Sequence, residues 1–182
     1  MQKENNLLKT QPIKGSLAQN LNFTQDLLSN EKEEAELSMI VDLLRNDFNR
    51  IESHASAQVT KHRAAMELGY IQHTYSEITI ETSQRLSPIL QCTFPGGSIS
   101  GCPKIESLKL ISEVEQIKRQ IYTGTIGWWQ NNEFALNLAI RTFIQQQTDL
   151  FYHAGCGIVY DSQAENEWNE FILKTGRINA PR

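Results

Sequence analysis

Hydrophobic positions between residues 30 and 51 recur at helical spacing. The apolar side chains of this segment are Leu37, Ile40, Val41, Leu44, Phe48 and Ile51. At about 3.6 residues per turn, they form one stripe along a helix. The pattern predicts an amphipathic helix over residues 30–51 that packs on the rest of the fold through this stripe.

A second pattern, rich in β-branched and aromatic residues, predicts strands. Residues 68–83 read ELGYIQHTYSEITIET, a composition that favours an extended conformation. Three more runs of the same kind follow at 121–129, 133–144 and 150–160. The dipeptide Asn131-Asn132 separates the first two of these runs and predicts a tight hairpin turn.

Two further helices are predicted from their terminal residues. Residues 103–117 form one, with Pro103 in its first turn, where a missing backbone N–H is tolerated. The last helix begins near Ser162, which forms a capping box with Glu165. Residues 1–30 are mixed and loop-rich. The order helix, strand, helix, three strands and helix predicts an α+β domain, in which helices pack on an antiparallel sheet.

Composition narrows the class of protein. The chain has 182 residues, 40% of them hydrophobic, and a net charge of −4, so we expect one folded domain and no nucleic-acid partner. The polar N-terminus does not resemble a signal peptide, and no apolar run has membrane-spanning length. Because Cys92, Cys102 and Cys156 lack CxxC spacing, neither a disulfide framework nor a zinc site is indicated. A reducing, cytoplasmic location is expected.

Two pairs of glutamates stand on packing faces of predicted helices. On a helical wheel, Glu33 falls within the apolar stripe and Glu36 at its edge. Near the other end of the chain, Glu167 and Glu170 share one helix face with Lys174. A single such pair is most simply a solvated helix-end feature. Two pairs brought together would repel each other without a cation, and oxygen-only ligands suit Mg²⁺.

Several other positions have two interpretations each. Arg141 lies inside the apolar run LNLAIRTFI, where burial would require an anionic partner from the protein or from a ligand. Gly155 and Gly157 interrupt a strand, either as a bulge or where the backbone approaches a ligand. A lone histidine in a strand, such as His73, is more often structural than catalytic.

The loop PGGSISGCPK leads into a predicted helix. It is either an anion site at the helix N-terminus or a tight structural turn. It does not match the phosphate-binding P-loop, because Cys102 stands where that pattern has lysine.

Taken together, these stretches resemble the chorismate-utilising enzymes, in particular the first components of anthranilate synthase and aminodeoxychorismate synthase. The segment EEAELSMIVDLLRND resembles the family's AE…MIVDLxRND helix, and FPGGSISGCPK resembles its PGGSxTGAPK loop. IYTGTIGW, LNLAIRTF, AGCGIVYDS and the ExxExxxK pattern of 167–174 match in order and spacing. The resemblance extends from Pro12 to about Ile178.

The resemblance implies a fold and a set of site residues. The fold is an antiparallel α/β sandwich, here partial, and the chemistry is Mg²⁺-dependent and acts on chorismate. Glu36 and Glu170 would bind Mg²⁺, with Glu33 and Glu167 completing the carboxylate cluster, and His73 would lie near the departing C4 hydroxyl. The substrate-binding positions would be Tyr122, Arg141, Gly155 and Gly157 for the pyruvyl carboxylate, and Ser98 and Lys174 for the ring carboxylate.

The stretch PIKG, which contains Lys14, indicates which member of the family the chain is most similar to. It resembles the version found in aminodeoxychorismate synthases, where anthranilate synthases typically have alanine instead of lysine. In that group the lysine adds to C2 of the ring as the C4 hydroxyl departs, and ammonia then enters at C4 and displaces it. The attacking amine must be neutral. The simpler alternative is a solvated loop lysine.

The resemblance also implies how the chain is organised. Family members are longer and carry an N-terminal half and an upstream Ser-Pro-Glu segment, so we expect residues 1–182 to be the C-terminal part of a chorismate-binding catalytic domain. An uncovered apolar face of the sheet is then expected, and a glutamine amidotransferase subunit is the expected source of ammonia. The alternatives are anthranilate synthase, an isochorismate or salicylate synthase, and a non-catalytic chorismate-binding remnant.

Overall fold

A computed structural model describes residues 1–18, 31–68 and 71–176 of the chain. At residues 15–18, 31–33, 67–68, 71–72 and 173 it describes the backbone and not the side chains. The chain divides into two compact units. Unit 1 comprises Met1–Ser98 and Gly127–Asn137, and unit 2 comprises Ile99–Ile126 and Leu138–Arg182.

A seven-stranded sheet forms the framework of unit 1. Its strands are β1 (Gln2–Glu4), β2 (Leu7–Thr10), β3 (Ile13–Ala18), β4 (Gln58–Leu68), β5 (Ile71–Glu81), β6 (Thr125–Gln130) and β7 (Glu133–Leu138). The strand order is β3-β5-β2-β1-β7-β6, and β4 pairs with β5 as well. The pairs that β5 makes with β2, β3 and β4 are antiparallel. The predicted α+β class with an antiparallel sheet is confirmed.

The hairpin between β6 and β7 forms where the sequence predicts it. Asn131 and Asn132 both have positive φ angles, of 49° and 68°, as expected for a two-residue turn that matches strand twist. A glycine is required nearby, because a Cβ on Gly127 would lie 1.9 Å from the backbone oxygen of Ala135. The close approach of the two strand backbones therefore explains Gly127.

Helix α1 (Glu31–Asn49) packs its predicted apolar stripe into the core of unit 1. Leu37 and Phe48 are completely buried, as are Ile78 of β5 and Phe134 of β7. Helix α2 (Leu86–Thr93) adds Ile89 to the same cluster. The core thus joins α1 to one face of the sheet and confirms the amphipathic pattern.

Phe48 gives the most direct test of this core. Replacing Phe48 by alanine should lower the free energy of unfolding by about 3–5 kcal/mol, because the substitution removes a wholly buried ring and leaves a cavity. Met39, which is 50% exposed on the same helix, provides the control, and Met39→Ala should change it by less than about 0.5 kcal/mol. Denaturant unfolding followed by circular dichroism measures both. Equal losses in the two variants would contradict the assigned core.

Unit 2 contains fewer regular elements. Its helices and strands are α4 (Lys104–Val114), β8 (Phe143–Gln146), β9 (Asp149–Tyr152) and α5 (Ala164–Gly176). The short helix α3 (Gly97–Ser100) begins in unit 1 and ends in unit 2. Strands β8 and β9 form a separate antiparallel hairpin. Many apolar side chains here are exposed, including Ile105, Leu110, Val114, Leu150, Ile158 and Tyr160. None of the helices within the described ranges is long and apolar enough to cross a membrane.

Several boundaries differ from the sequence predictions. The segment before residue 19 is not loop-rich but forms β1, β2 and β3, whose short length hid the strand pattern. The predicted strand 133–144 is two strands, because a turn interrupts it after Leu138, and the predicted strand 150–160 ends at Tyr152. The sequence analysis also missed the strand β4. Its pairing with β5 is irregular at two places, so its apolar and polar residues do not alternate regularly along the strand.

Two helix starts also differ in detail. Pro103 is the N-cap of α4 rather than a residue of its first turn. The last helix begins at Ala164, and Ser162 does not form the predicted capping box with Glu165. The Ser162 hydroxyl instead donates to the side chain of Glu167, at 2.8 Å. The Ser162 side chain therefore binds a residue of the candidate site instead of capping the helix.

Candidate active site

Lys14 lies on β3, where the strand pairs with β5. Its register partner is Thr74, and the pairing shifts between Lys14 and Ser16, so a bulge follows directly after the lysine. The Thr74 hydroxyl donates a hydrogen bond to the backbone carbonyl of Lys14. Lys14 is therefore held on a strand rather than in a loop.

The ammonium of Lys14 contacts Glu36 of helix α1. Its Nζ lies 3.0 Å from Glu36 Oε2, and about a third of each side chain is exposed, 35% and 31%. Glu36 precedes the buried Leu37, so the packing of α1 on the sheet positions its carboxylate. A pair this exposed contributes about 0–1 kcal/mol to stability. The pair therefore matters less for stability than for position, because it brings Lys14 and Glu36 together. The sequence analysis had selected these two residues on separate grounds.

Three other predicted residues of unit 1 lie in different places. His73 is on β5, one register step from Lys14, opposite the backbone of Ser16. Ser98 is exposed on the short helix α3. Glu33 is in the first part of α1, and its side chain lies outside the described part of the chain.

The glycines around Ser98 are explained by packing. A Cβ on Gly97 would lie 2.1 Å from a side-chain carbon of Leu43, and Gly101 has a φ of +93°. Because a Cβ on Gly101 would also crowd Ser107, the loop needs glycine for tight turns next to helices. These contacts support the structural-turn interpretation of PGGSISGCPK.

Lys174 is the centre of the polar cluster in unit 2. Its Nζ lies 2.7 Å from Glu170 Oε1 and donates to the carbonyl oxygen of Gly155 at 2.9 Å. It also lies 3.8 Å from the sulfur of Cys156. Burial lowers the pKa of Lys174, but the hydrogen bond and charge of Glu170 and the contact with Cys156 outweigh it, so the pKa is raised. Lys174 therefore stays an ammonium ion.

Glu167 is positioned by one oxygen while the other has no donor. Its Oε1 accepts the hydrogen bond from Ser162, whereas Oε2 is wholly buried and has no hydrogen-bond partner among the described residues. A buried carboxylate oxygen without a donor or a cation is energetically costly. Among the described atoms of unit 2, Glu167 Oε2 is therefore the one that best fits the role of a metal ligand.

Cys156 completes this cluster, and the sequence analysis missed it. One ligand atom each from Cys156, Glu167 and Glu170 lies within 4.8 Å of the others. The Cys156 thiol donates to the backbone carbonyl of Glu167 at 3.3 Å, and burial raises its pKa. Cysteine spacing carried no signal for this site, because the contact joins a loop to a helix eleven residues later.

Tyr122 lies beside one of the two predicted glycines. Its ring stacks on His153 with centroids 5.6 Å apart, and a Cβ on Gly155 would lie 3.2 Å from the Tyr122 hydroxyl. Burial raises the pKa of Tyr122, so the phenol is neutral and available as a hydrogen-bond donor. Gly157 differs, because a Cβ there would meet no atom within 4 Å.

Arg141 is exposed, although its apolar neighbours in the sequence suggested burial. The strand ends before it, and Arg141 occupies an exposed turn with a φ of 51°. Because water reaches the guanidinium, burial does not force it to have a partner in the protein. The anionic ligand expected for Arg141 stays a prediction. Within the described ranges, no carboxylate lies at ion-pair distance from it. Its guanidinium is thus accessible to a ligand in solution.

Each unit thus brings some predicted residues together. In unit 1 these are Lys14 and Glu36. In unit 2 they are Glu170, Lys174 and Gly155, with Glu167 linked to them through Cys156. The predicted pairing of Glu36 with Glu170 at one metal involves both units and stays a prediction.

Comparison with known proteins shows which family the chain is similar to over nearly its whole length. A family model described as chorismate binding enzyme matches residues 1–180. Aminodeoxychorismate synthase component 1 of Bacillus subtilis is 34% identical over 181 residues, which are 94% of this chain and 38% of that protein. Anthranilate synthase component 1 of Aquifex aeolicus is 35% identical over 181 residues, 94% of this chain and 36% of that protein.

A solved structure shows the same fold. The crystal structure of anthranilate synthase component I from Streptococcus pneumoniae matches with a TM-score of 0.85 and 39% sequence identity. The match covers 95% of this chain and 40% of that chain. The chain therefore spans well under half the length of these relatives.

Proposed function

Because the chain belongs to the family of chorismate-binding enzymes, we propose that the protein aminates chorismate at C4 with ammonia. The product is 4-amino-4-deoxychorismate, a precursor in 4-aminobenzoate and folate synthesis. The two relatives named above differ in activity at 34% and 35% identity, so identity does not choose between them. The observation that favours amination at C4 is Lys14, paired with Glu36 at 3.0 Å.

Lys14 is proposed to act as a covalent nucleophile. The Lys14 ammonium first releases one proton to solvent, and the neutral amine then adds to C2 of chorismate. The ring double bonds shift, and the C4 hydroxyl leaves as water with the second proton that the nitrogen gives up. Ammonia then adds at C4, the double bonds shift back, and the Lys14 amine departs from C2. The pairing of β3 with β5 limits the backbone motion of Lys14 and so favours a fixed direction of attack. His73, one register step away, is proposed to assist departure of the hydroxyl.

Mg²⁺ is the proposed cofactor, and the residues present fit it. Glu36 and Glu170 are the proposed ligands, with Glu33 and Glu167 completing the carboxylate set. The buried, unpartnered Oε2 of Glu167 supports this proposal, because Mg²⁺ prefers oxygen ligands. When bound, Mg²⁺ neutralises carboxylate charge of the substrate. The side chains of the chain itself bind and orient the rest of chorismate.

The two carboxylates of chorismate are assigned to different groups of side chains. Arg141, exposed in its turn, can bind the pyruvyl carboxylate through two parallel hydrogen bonds. Tyr122 and the backbones of Gly155 and Gly157 are proposed to hold the same carboxylate. Ser98 and Lys174 are proposed for the ring carboxylate. A glutamine amidotransferase partner as the ammonia source and a cytoplasmic location are proposed from the resemblance.

Product identification tests this function. The chain would be assayed with chorismate, Mg²⁺ and an ammonium salt. Beside it, a chimera would be assayed in which this chain replaces the matching segment of the Bacillus subtilis relative. We expect 4-amino-4-deoxychorismate from the chimera, identified by liquid chromatography and mass spectrometry. Anthranilate as the sole product would instead support the second candidate function, anthranilate synthesis. This chain is similar to the structure of anthranilate synthase component I from Streptococcus pneumoniae.

A further inference from the structure

We propose that Thr74 is a positioning residue for Lys14, and that its hydroxyl fixes the backbone from which the lysine attacks chorismate. The inference rests on the proposed function, because it takes Lys14 to be the nucleophile. Thr74 acts through Lys14 and makes no contact with the substrate itself. The sequence analysis did not select it, because threonine is an ordinary residue of a strand.

The regular pairing of β3 with β5 ends at Lys14. Two residues earlier, the carbonyl of Pro12 accepts a hydrogen bond from the backbone N–H of Ser76 at 3.1 Å. Directly after Lys14 the register shifts, and regular pairing resumes at Ser16. A bulge of this kind disrupts the ladder of hydrogen bonds locally and can re-aim a side chain. The backbone of Lys14 therefore needs a restraint that the ladder beyond it does not supply.

The Thr74 hydroxyl holds the peptide bond at which the register shifts. It donates a hydrogen bond to the carbonyl oxygen of Lys14, and this carbonyl belongs to the peptide bond between Lys14 and Gly15. Because glycine has a wide choice of backbone conformations, this peptide bond can rotate more readily than others. The hydrogen bond opposes that rotation and so fixes the backbone that carries the Lys14 side chain.

Lys14 is thus held at both ends, and the backbone contact is the better protected of the two. Its Nζ contacts Glu36 at 3.0 Å, but about a third of each of these side chains is exposed to solvent. Thr74 is only 2% exposed, so water does not compete for its hydroxyl. A lysine side chain has a flexible four-carbon stem, and a fixed backbone limits the volume through which its amine can move.

Replacing Thr74 by valine removes the hydroxyl and keeps the β-branched shape that suits a strand. Because a misplacement of about 1 Å can lower a rate by about 10²-fold, we expect kcat for 4-amino-4-deoxychorismate formation in the chimera to fall by roughly 10–100-fold. The KM for chorismate should stay within about twofold, because the lost contact does not bind the substrate. Thr74→Ser keeps a hydroxyl donor and should stay within about threefold of the wild-type kcat.

Two controls separate positioning from a general effect on the fold. Thr79 lies on the same strand and pairs with Lys9 of β2, so Thr79→Val makes the same change opposite another lysine and should retain the wild-type rate. In the Lys14→Ala chimera, adding Thr74→Val should change the residual rate of chorismate consumption by less than about twofold, because Thr74 acts only through Lys14. Circular dichroism checks that each variant is folded.

The outcomes distinguish this inference from the proposed function. If Lys14→Ala abolishes 4-amino-4-deoxychorismate formation while Thr74→Val keeps the wild-type rate, the role of Thr74 is overturned and the proposed function stands. Equal losses in Thr74→Val and Thr74→Ser, or the same loss when Lys14 is already absent, would also overturn it. A Lys14→Ala variant as fast as the wild type would contradict both.

A second pair of variants covers the case in which Thr74→Val does not fold. Thr74→Ser and Thr74→Ala both lack the methyl group and differ from each other only by the hydroxyl. We expect the serine variant to have a kcat at least roughly tenfold higher than the alanine variant, with similar KM values for chorismate. Equal kcat values in these two variants would overturn the assignment of Thr74.

Discussion

Replacing Lys14 by alanine is expected to lower the rate of 4-amino-4-deoxychorismate formation by at least roughly 10⁴-fold, the scale of loss found when a covalent nucleophile is removed. Without the amine, no covalent bond to C2 can form, and ammonia must react with chorismate directly. Direct attack at C2 rather than displacement at C4 would divert the product toward anthranilate. Chorismate consumption and both products should be measured in the chimera.

The control for Lys14 is another lysine of the same sheet. Lys9 lies on β2, which also pairs with β5, and Lys9→Ala removes the same charge from a neighbouring strand. We expect Lys9→Ala to retain the wild-type rate and product. A Lys14→Ala variant that makes 4-amino-4-deoxychorismate as fast as the wild type would exclude Lys14 as the nucleophile.

Replacing Glu36 or Glu170 by glutamine is expected to weaken the response to Mg²⁺. Each change keeps the shape of the side chain and removes a charged oxygen ligand. The Mg²⁺ concentration that gives half-maximal rate should rise by at least roughly 10–100-fold, the loss that even an outer-shell partner of a metal site can cause. The rate would be measured against Mg²⁺ concentration at saturating chorismate.

A matched control lies on the same helix as Glu36. Glu34 is an exposed residue that pairs with Arg63 at 2.6 Å, and Glu34→Gln should leave the Mg²⁺ response unchanged. Calorimetric titration with Mg²⁺ in the presence of chorismate measures the Mg²⁺ affinity directly. It should show weaker binding in Glu36→Gln and Glu170→Gln than in the wild type and in Glu34→Gln. An unchanged Mg²⁺ response in Glu36→Gln or in Glu170→Gln would remove that residue from the ligand set.

The sequence predicted those elements whose pattern is long and regular. Helix α1, of 19 residues, has an apolar stripe that runs from Leu37 to Phe48. The Asn131-Asn132 turn has residues that tolerate positive φ. In contrast, β1 and β2 contain three and four residues, too few for alternation to stand out from chance. The turn at Arg141 interrupts an apolar run with no proline or glycine to mark it.

The candidate site was only partly predictable, for a different physical reason. Periodicity selected Glu36 as a residue at the edge of a packing face, but its contact with Lys14 joins positions 22 residues apart and depends on how α1 lies on the sheet. The link between Cys156 and Glu167 depends likewise on the path of the loop before α5. Such contacts are set by tertiary packing, which no local pattern encodes.

Covalent catalysis by Lys14 is tested most directly by a mass measurement on the chimera mixed with chorismate and Mg²⁺ in the absence of ammonia. With no ammonia to displace it, the lysine adduct should accumulate in the chimera, with the added mass of chorismate less one water. Acid quenching, proteolysis and peptide sequencing by mass spectrometry should place this addition on Lys14 and not on Lys9. An adduct on another residue, or active enzyme that forms no adduct at Lys14, would contradict covalent catalysis by this lysine.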